Sequence, residues 1–301
     1  MPEEKLKIAV LGGDERELYL IKALLEWEFV VYTYAIEKDS LPEGVLYCHS
    51  LFDALKEAEA VILPMPGIKN DGILHCKLNM PPKIEEGEFA VLSAGTPVIC
   101  GAASAYLKRI CSKYHLDLLP MVEKDEIALP NAIPTAEGAL AVAIENSDGL
   151  LSGSLSLIIG YGRLGQALAP RLSALGSNVL VVNRQQKRAD LARKEGFSVI
   201  GWEKWPDLAK AADYVFNTVP AFLISESVLN GMKKDALIVD LATSPGGTDF
   251  TAAQKAGIKA ILAAGLPGKY SPRAAGKILA DVYPHLIKEK IMARRHKRDG
   301  Q

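Results

Sequence analysis

Residues 156–165, Ser-Leu-Ile-Ile-Gly-Tyr-Gly-Arg-Leu-Gly, constrain the fold of this chain more than any other stretch. An apolar run of strand type feeds Gly-x-Gly-x-x-Gly and then the helix-like residues 166–175. Gly160 permits a tight turn, Gly162 lets a pyrophosphate approach the backbone, and Gly165 lets the helix pack closely on the strand. The free N–H groups and dipole of that helix then face the phosphates. A strand before, a helix after and a second strand on schedule make this a dinucleotide-binding βαβ unit, which three glycines alone would not. Gly160, Tyr161, Gly162, Arg163, Leu164 and Gly165 are therefore the first expected cofactor contacts. The motif lies near the midpoint of 301 residues, so about 150 residues precede it and need a role of their own.

A chain of this length accommodates about two domains, each able to bury its own core. With 49% hydrophobic and 24% charged residues the composition is that of a soluble globular protein. A formal net charge of −1 gives no electrostatic reason to expect a nucleic-acid or membrane partner. No uninterrupted apolar run reaches the roughly 18 residues of a bilayer span. The N-terminal Met-Pro-Glu-Glu-Lys-Leu-Lys lacks the apolar segment of a signal peptide, so a cytoplasmic protein is expected. Cys48, Cys76, Cys100 and Cys111 form no Cys-x-x-Cys spacing, and the five histidines form no ligand pattern. Reduced, mostly buried thiols and no metal site follow.

The first half alternates short apolar runs at 7–11, 29–34, 60–63, 89–92 and 116–119 with helical patterns. In residues 15–27, Leu18, Ile21, Leu24 and Leu25 recur at helical spacing. In the second half strands are predicted at 178–182, 198–200, 214–217, 237–241 and 259–262, with a last helix over 272–288. Such alternation implies βαβ units and parallel sheets. The expected architecture is α/β with two doubly wound parallel-sheet domains and a cleft between them. A flavodoxin-like substrate domain is assigned to 1–134 and a Rossmann NAD(P)-binding domain to 151–290. A break at 130–134 leads into a connector helix, 135–150, capped by Thr135. Residues 291–301 form a basic tail, expected to be solvated.

The end of the second Rossmann strand selects the dinucleotide. NAD-preferring sites place a carboxylate there for the ribose hydroxyls. Here the slot reads Val181-Val182-Asn183-Arg184, without an acid. Arg184 offers a planar guanidinium for a 2′-phosphate and for stacking on adenine, and Lys187 and Arg188 add positive charge. NADP is the expected cofactor and NAD the alternative. Asn183 and Arg184 join the cofactor set. So do residues of three loops at successive strand ends: Thr218, Val219 and Pro220; Ala242; and Gly265.

With these residues collected, the chain resembles the family of dipicolinate synthase A subunits over nearly its whole length. The resemblance rests on Gly12-Gly-Asp-x-Arg16, Asn131-Ala-Ile-Pro-Thr-Ala-Glu-Gly138 and Gly160-Tyr-Gly-Arg-Leu-Gly165. It continues through Asn217-Thr-Val-Pro220, Asp240-Leu-Ala-Thr-Ser-Pro-Gly-Gly-Thr-Asp-Phe250, Gly265-Leu-Pro-Gly-Lys269 and Ala275-Gly276. Asn183-Arg184-Gln185 departs from the expected Arg followed by a small hydroxyl residue. The resemblance implies an oxidoreductase acting on a CH–CH or CH–NH bond. It would convert a dihydrodipicolinate-type precursor of the lysine pathway to pyridine-2,6-dicarboxylate in the mother cell of a sporulating bacterium. It further implies NADP as cofactor and, as partner, the flavoprotein-like B subunit of dipicolinate synthase. A homo-oligomer is also expected.

A dicarboxylate calls for Arg, Lys or helix N-terminal N–H groups. Arg16, with Asp14 beside it, follows the first strand end and is the first choice for a bidentate clamp. Ser93, Gly95 and Thr96 can supply backbone and hydroxyl donors. Pro134 and Thr135 would mark the N-terminus of the connector helix, facing the second carboxylate, and Lys269 would reach in from the other domain. Asp14, His75 and Glu137 are the candidate bases, and none is assigned a catalytic role because aromatisation of a dihydropyridine needs only water as proton acceptor. Two other functions share these motifs. One is an NADP-dependent dehydrogenase of the shikimate or methylene-tetrahydrofolate type, for which Lys69 would be the nearest catalytic lysine. The other is a non-catalytic NADP-sensing regulatory protein.

Overall fold

Several strands of this protein bury consecutive apolar residues rather than every second one. Ile8, Ala9, Val10 and Leu11 are all inaccessible to solvent, as are Val98, Ile99 and Cys100 and, in the second half, Ile158, Ile159, Phe216, Ile238 and Val239. Only a parallel sheet covered on both faces accommodates such runs. The computed structural model describes residues 5–299 and contains two such sheets. Residues up to Pro130 together with those from Pro272 onward form one compact unit, and Asn131–Ser271 form the other.

The first unit contains β1 (Lys7–Leu11), β2 (Val30–Tyr34), β3 (Leu46–Tyr47), β4 (Ala60–Ile62), β5 (Pro97–Cys100) and β6 (Asp117–Pro120). They pair in parallel in the order β3-β2-β1-β4-β5-β6. Without the two-residue β3, this is the 2-1-3-4-5 order of the flavodoxin-like fold. The second unit contains β7 (Leu155–Ile159), β8 (Asn178–Val182), β9 (Ser198–Ile200), β10 (Tyr214–Asn217), β11 (Leu237–Asp240) and β12 (Lys259–Leu262). Its order, β12-β11-β10-β7-β8-β9, is the 3-2-1-4-5-6 arrangement read from the other edge. The order reverses beside β7, so the crevice at the switch point opens at the C-terminal ends of β7 and β10.

Four features differ from the sequence expectation. Residues 89–92 are not a strand: Glu86–Val91 is a 3₁₀ segment with a Glu85/Glu88 capping box, and it buries Phe89. The strand is instead Pro97–Cys100, because a proline is tolerated as the first residue of a strand. Thr135 does not begin a helix, since one helix runs from Asp125 to Asn146. Ala132, Ala136, Ala139 and Ala143 are buried at steps of four, three and four along it. Tertiary burial of that stripe carries the helix through Pro130 and Pro134 despite their missing N–H donors.

The last helix extends over Pro272–Asp299 rather than stopping at 288. Within the first unit it buries Leu279, Tyr283, Ile287 and Ile291 with Leu20, Ile21 and Leu24 of the helix Glu15–Glu26. Gly276 permits the crossing, since a β-carbon there would lie 2.8 Å from the Arg16 carbonyl oxygen and from Tyr19 Cβ. The second unit therefore ends at Ser271 rather than 290. Of the expected tail, 291–299 is helical, and Arg295 pairs with Glu59. Residues 300–301 lie outside the described residues.

The helix Asp125–Asn146 has the length and hydropathy of a membrane span, with a mean of 1.4 over its most apolar window, but half of that window is buried within the protein. All four cysteines are free; Cys48, Cys100 and Cys111 are buried and Cys76 is half-buried.

Candidate functional site

In the second unit β7 ends at Ile159 and the chain turns at Gly160, where φ is +101°, a left-handed value that favours glycine. Gly162 is the N-cap of the helix Arg163–Ala174 and offers no side chain to the first-turn N–H groups. A β-carbon on Gly162 would meet nothing within 4 Å, so open space lies directly before the helix N-terminus. A helix start with no side-chain cap, the positive end of the helix dipole and room for a ligand fit a pyrophosphate.

That space continues into a cleft of about 340 Å³. Gly160, Tyr161, Gly162, Asn183, Arg184, Thr218, Val219 and Pro220 line it, all expected from sequence. Gln185, Arg188, Trp202, Ala221 and Leu223 line it as well. Asn183 caps its own loop by accepting the Gln185 N–H at 2.8 Å, which leaves Arg184 at the wall of the cleft. Tyr161 turns its ring into the core beside Phe197 and donates its hydroxyl to Glu195. Burial, and then the Glu195 carboxylate, push its pKa up, so it presents backbone rather than an ionisable group to the cleft. Arg163, Leu164 and Gly165 form the first helical turn. Ala242 is buried and donates its N–H to Asp240, while Gly265, with φ +69°, caps the short helix Leu266–Tyr270.

Trp202 and Leu223 escaped the sequence reading. Trp202 sits just past β9, packed beside Trp205 with ring centroids 6.5 Å apart. Its signal, a large aromatic at a strand C-terminus, looks the same as a core residue in sequence.

In the first unit, Gly12 and Gly13 follow β1 and the segment after β4 folds back over them. The Gly13 N–H donates to the His75 carbonyl at 2.9 Å, and a β-carbon on Gly12 would lie 2.5 Å from that oxygen. This carries His75 next to Asp14. Asp14 caps the following helix in a capping box with Glu17, whose carboxylate accepts the Asp14 N–H at 2.7 Å. Arg16 folds back to grip Asp14 with two parallel bonds, Nε to Oδ1 and Nη2 to Oδ2, each 2.8 Å.

Burial favours the neutral form of Asp14, but the hydrogen bonds and charge of Arg16 outweigh it and hold the carboxyl below its usual value. Arg16, 5% exposed, is held above its usual value by Asp14 and Glu17 despite its own burial. Glu17 is fully buried, and burial pushes its carboxyl up to about 7 against the pull of Arg16. His75 is held down by burial and by the positive charges of Arg16 and Lys69, with Asp14 opposing.

Within the first unit, the expected substrate residues Asp14 and Arg16 stand together at the C-terminal end of β1. Ser93, Gly95 and Thr96 precede β5 and so lie at the N-terminal edge of the sheet, opposite the edge that carries Asp14. There Thr96 Oγ1 donates to the Ser93 carbonyl, and the Ala94 carbonyl accepts Arg294 Nε at 3.1 Å. Pro134 and Thr135 lie inside a helix, and Thr135 Oγ1 donates to the carbonyl of Asn131 at 2.7 Å. That segment therefore has no helix N-terminus for a carboxylate. In the second unit Lys269 Nζ lies 4.7 Å from the centroid of the Tyr270 ring, and Glu137 pairs with Arg171 at 3.5 Å. Among the described residues no group of three His, Cys, Asp or Glu side chains could hold a metal.

A parallel sheet of this order, with a glycine-fronted helix at its switch point, is the framework of the NAD-binding dehydrogenases. Residues 143–246 match the D-isomer specific 2-hydroxyacid dehydrogenase, NAD binding domain. Residues 7–122 match the N-terminal domain of the dipicolinate synthase A subunit. The chain is 34% identical to the dipicolinate synthase A subunit of Bacillus subtilis over 94% of its own length and 96% of the relative's. It belongs to the family of dipicolinate synthase A subunits. Two solved structures agree in fold along nearly the whole chain. The dipicolinate synthase A subunit from Bacillus halodurans has a TM-score of 0.87 at 31% identity, covering 93% of this chain and 97% of that one. Its counterpart from Bacillus subtilis has a TM-score of 0.86 at 34% identity, covering 97% and 98%.

Proposed function

We propose that this chain is the dehydrogenase component of a dipicolinate synthase, using NADP to aromatise a dihydrodipicolinate-type intermediate of the lysine pathway during sporulation. The observation that carries the reading is Arg184 on the wall of a cleft whose helix start is bare glycine. An arginine where NAD sites hold an acid suits a ribose 2′-phosphate. In the reaction the ring gives up a hydride from a CH–CH or CH–NH unit to the nicotinamide and a proton to water.

The protein's own contribution is binding and orientation. The backbone of Gly160, Gly162 and the first helical turn holds the diphosphate, Arg184 with Arg188 the adenosine phosphate, and the Thr218–Val219–Pro220 loop the adjoining wall. Arg16, set by Asp14, is assigned to one substrate carboxylate. No side chain is assigned as base, because the gain of aromaticity favours proton loss to solvent.

Relatives named as one lettered component of dipicolinate synthase support a heteromeric enzyme, completed by the flavoprotein-like B subunit. A homo-oligomer in the mother-cell cytoplasm completes the reading. The test supplies purified protein with the lysine-pathway precursor and either NADP⁺ or NAD⁺, with and without the flavoprotein-like partner, and follows the absorbance of the aromatic product. Product formed faster with NADP⁺ is expected. Equal rates with both dinucleotides would remove the cofactor assignment, and product formed without either would remove the dehydrogenase role.

A further inference from the structure

We propose that Asp240, which lines no part of the cofactor cleft, is the positioning residue that sets one of its walls. The proposal rests on the reading that this cleft binds a nicotinamide dinucleotide. Asp240 ends β11 and is completely inaccessible to solvent. A carboxylate there is costly unless every lone-pair direction finds a donor. Four donors converge on it. Oδ1 accepts Asn217 Nδ2 and the Ala242 N–H, both at 3.1 Å. Oδ2 accepts the Gly247 N–H at 2.8 Å and Thr248 Oγ1 at 2.6 Å.

Each branch continues toward the cleft. Asn217 is itself fully buried at the end of β10, and its amide closes on Val219 from both sides. Its Oδ1 accepts the Val219 N–H at 3.0 Å, and its Nδ2 donates to the Val219 carbonyl at 3.1 Å. The Gly247 carbonyl accepts the N–H groups of Leu223 and Ile224, both at 2.9 Å. The loop between β10 and Ile224 contributes Thr218, Val219, Pro220, Ala221 and Leu223 to the cleft, so both of its ends are tied to one carboxylate. A β-carbon on Gly247 would lie 2.3 Å from the Ala221 carbonyl oxygen and 2.5 Å from Asn217 Nδ2, so the loop has no slack toward Asp240.

The chemistry requires an acceptor on both atoms. An amide at position 240 would turn its NH₂ onto a pair of donors, either Asn217 with Ala242 or Gly247 with Thr248. Dispersal of the loop, rather than loss of the sheet, is the expected consequence.

The experiment titrates NADPH and NADH into wild type, Asp240→Asn, Thr248→Val and Thr248→Ser, reading nicotinamide fluorescence, and measures backbone amide exchange of each free protein. Asp240→Asn should weaken binding at least tenfold and Thr248→Val about fivefold, with Thr248→Ser, which keeps the hydroxyl donor, within twofold of wild type. Exchange should accelerate at Val219, Leu223 and Ile224 while the amides of β7 and β10 keep their protection. Asp240→Asn binding within twofold of wild type, or Thr248→Val and Thr248→Ser behaving alike, would overturn the proposal. Should Asp240→Asn not fold, the Thr248 pair decides. A wild type that binds neither dinucleotide would instead remove the reading of the cleft itself.

Discussion

Gly165 packs so closely on the turn before it that a β-carbon there would lie 2.3 Å from the carbonyl oxygen of Gly160. Gly162, three residues earlier, has nothing within 4 Å of the same added atom and a φ of −81° that any residue adopts. The two glycines therefore separate packing from ligand space.

Gly165→Ala must push the helix Arg163–Ala174 off β7, an overpacking that costs about 1–3 kcal/mol. Gly162→Ala should melt within a degree or two of wild type, since it removes no packing. It should lose cofactor affinity tenfold or more, because its methyl group occupies the space in front of the helix start. Thermal denaturation and NADPH titration of both variants check this. Undiminished affinity in Gly162→Ala would mean that the phosphates do not sit at this helix.

Arg184→Ala should lower the affinity for NADPH by about one to two orders of magnitude, the worth of about 1.5–3 kcal/mol for hydrogen bonds to a charged group. NADH should be bound nearly as before. The measurement is the ratio of the two dissociation constants in wild type and variant, at one fixed ionic strength because the contact is screened by salt. A ratio that does not move would place the 2′-phosphate elsewhere.

Arg16→Ala leaves the half-buried Asp14 carboxylate without its bidentate partner. Removing one member of a buried pair costs about 3–5 kcal/mol, so a lower melting temperature is expected whatever the role of Arg16. The discriminating quantity is kinetic. If the guanidinium also holds the substrate, KM rises at least tenfold while NADPH affinity stays at the wild-type value. A variant that melts early yet keeps its KM would make the Asp14–Arg16 pair purely structural.

Glu17 gives the fold a pH dependence opposite to that of an ordinary ion-paired carboxylate. Its pKa is raised from 4.5 to about 7 in the folded protein. Between those values the folded state holds a proton that the unfolded chain has released, so stability falls as pH rises. The contribution is fully present below about pH 4.5, declines to about pH 7 and is flat above. At 1.36 kcal/mol per unit this amounts to about 3 kcal/mol. Glu17→Gln keeps an acceptor for the Asp14 N–H and should flatten the curve, gaining stability relative to wild type at pH 8 and not at pH 4.5. Denaturant unfolding at pH 5, 6, 7 and 8 covers the window while Asp14, whose pKa is lowered, stays ionised. Parallel curves for variant and wild type would remove Glu17 as the source.

Much of the second unit was legible residue by residue. The strands 178–182, 198–200, 214–217 and 259–262 fall where apolar period and turn residues put them, because each is a local run bounded by polar or glycine positions. Glycines at 160, 162 and 165 are constrained by backbone geometry over six residues, so their spacing alone carries the turn. Arg184 is legible for the same reason, being fixed by its distance along a βαβ unit.

Properties that depend on partners distant in sequence were decided only by the tertiary structure. Phe89 reads as a strand residue but is a buried anchor of a 3₁₀ turn, while the strand starts at Pro97, a residue that by itself signals a loop. Thr135 has the composition of a helix cap, yet Ala132, Ala136, Ala139 and Ala143 bury one face and carry the helix straight through two prolines. Burial energy summed over a helix exceeds the local preference of any one residue, and a sequence shows the preference but not the surface that will cover it. Asp240 is the same case in polar form. Its side chain is one acid among many until Asn217, Gly247 and Thr248, brought in by neighbouring strand ends, supply the donors that make it the fixed point of the cofactor wall.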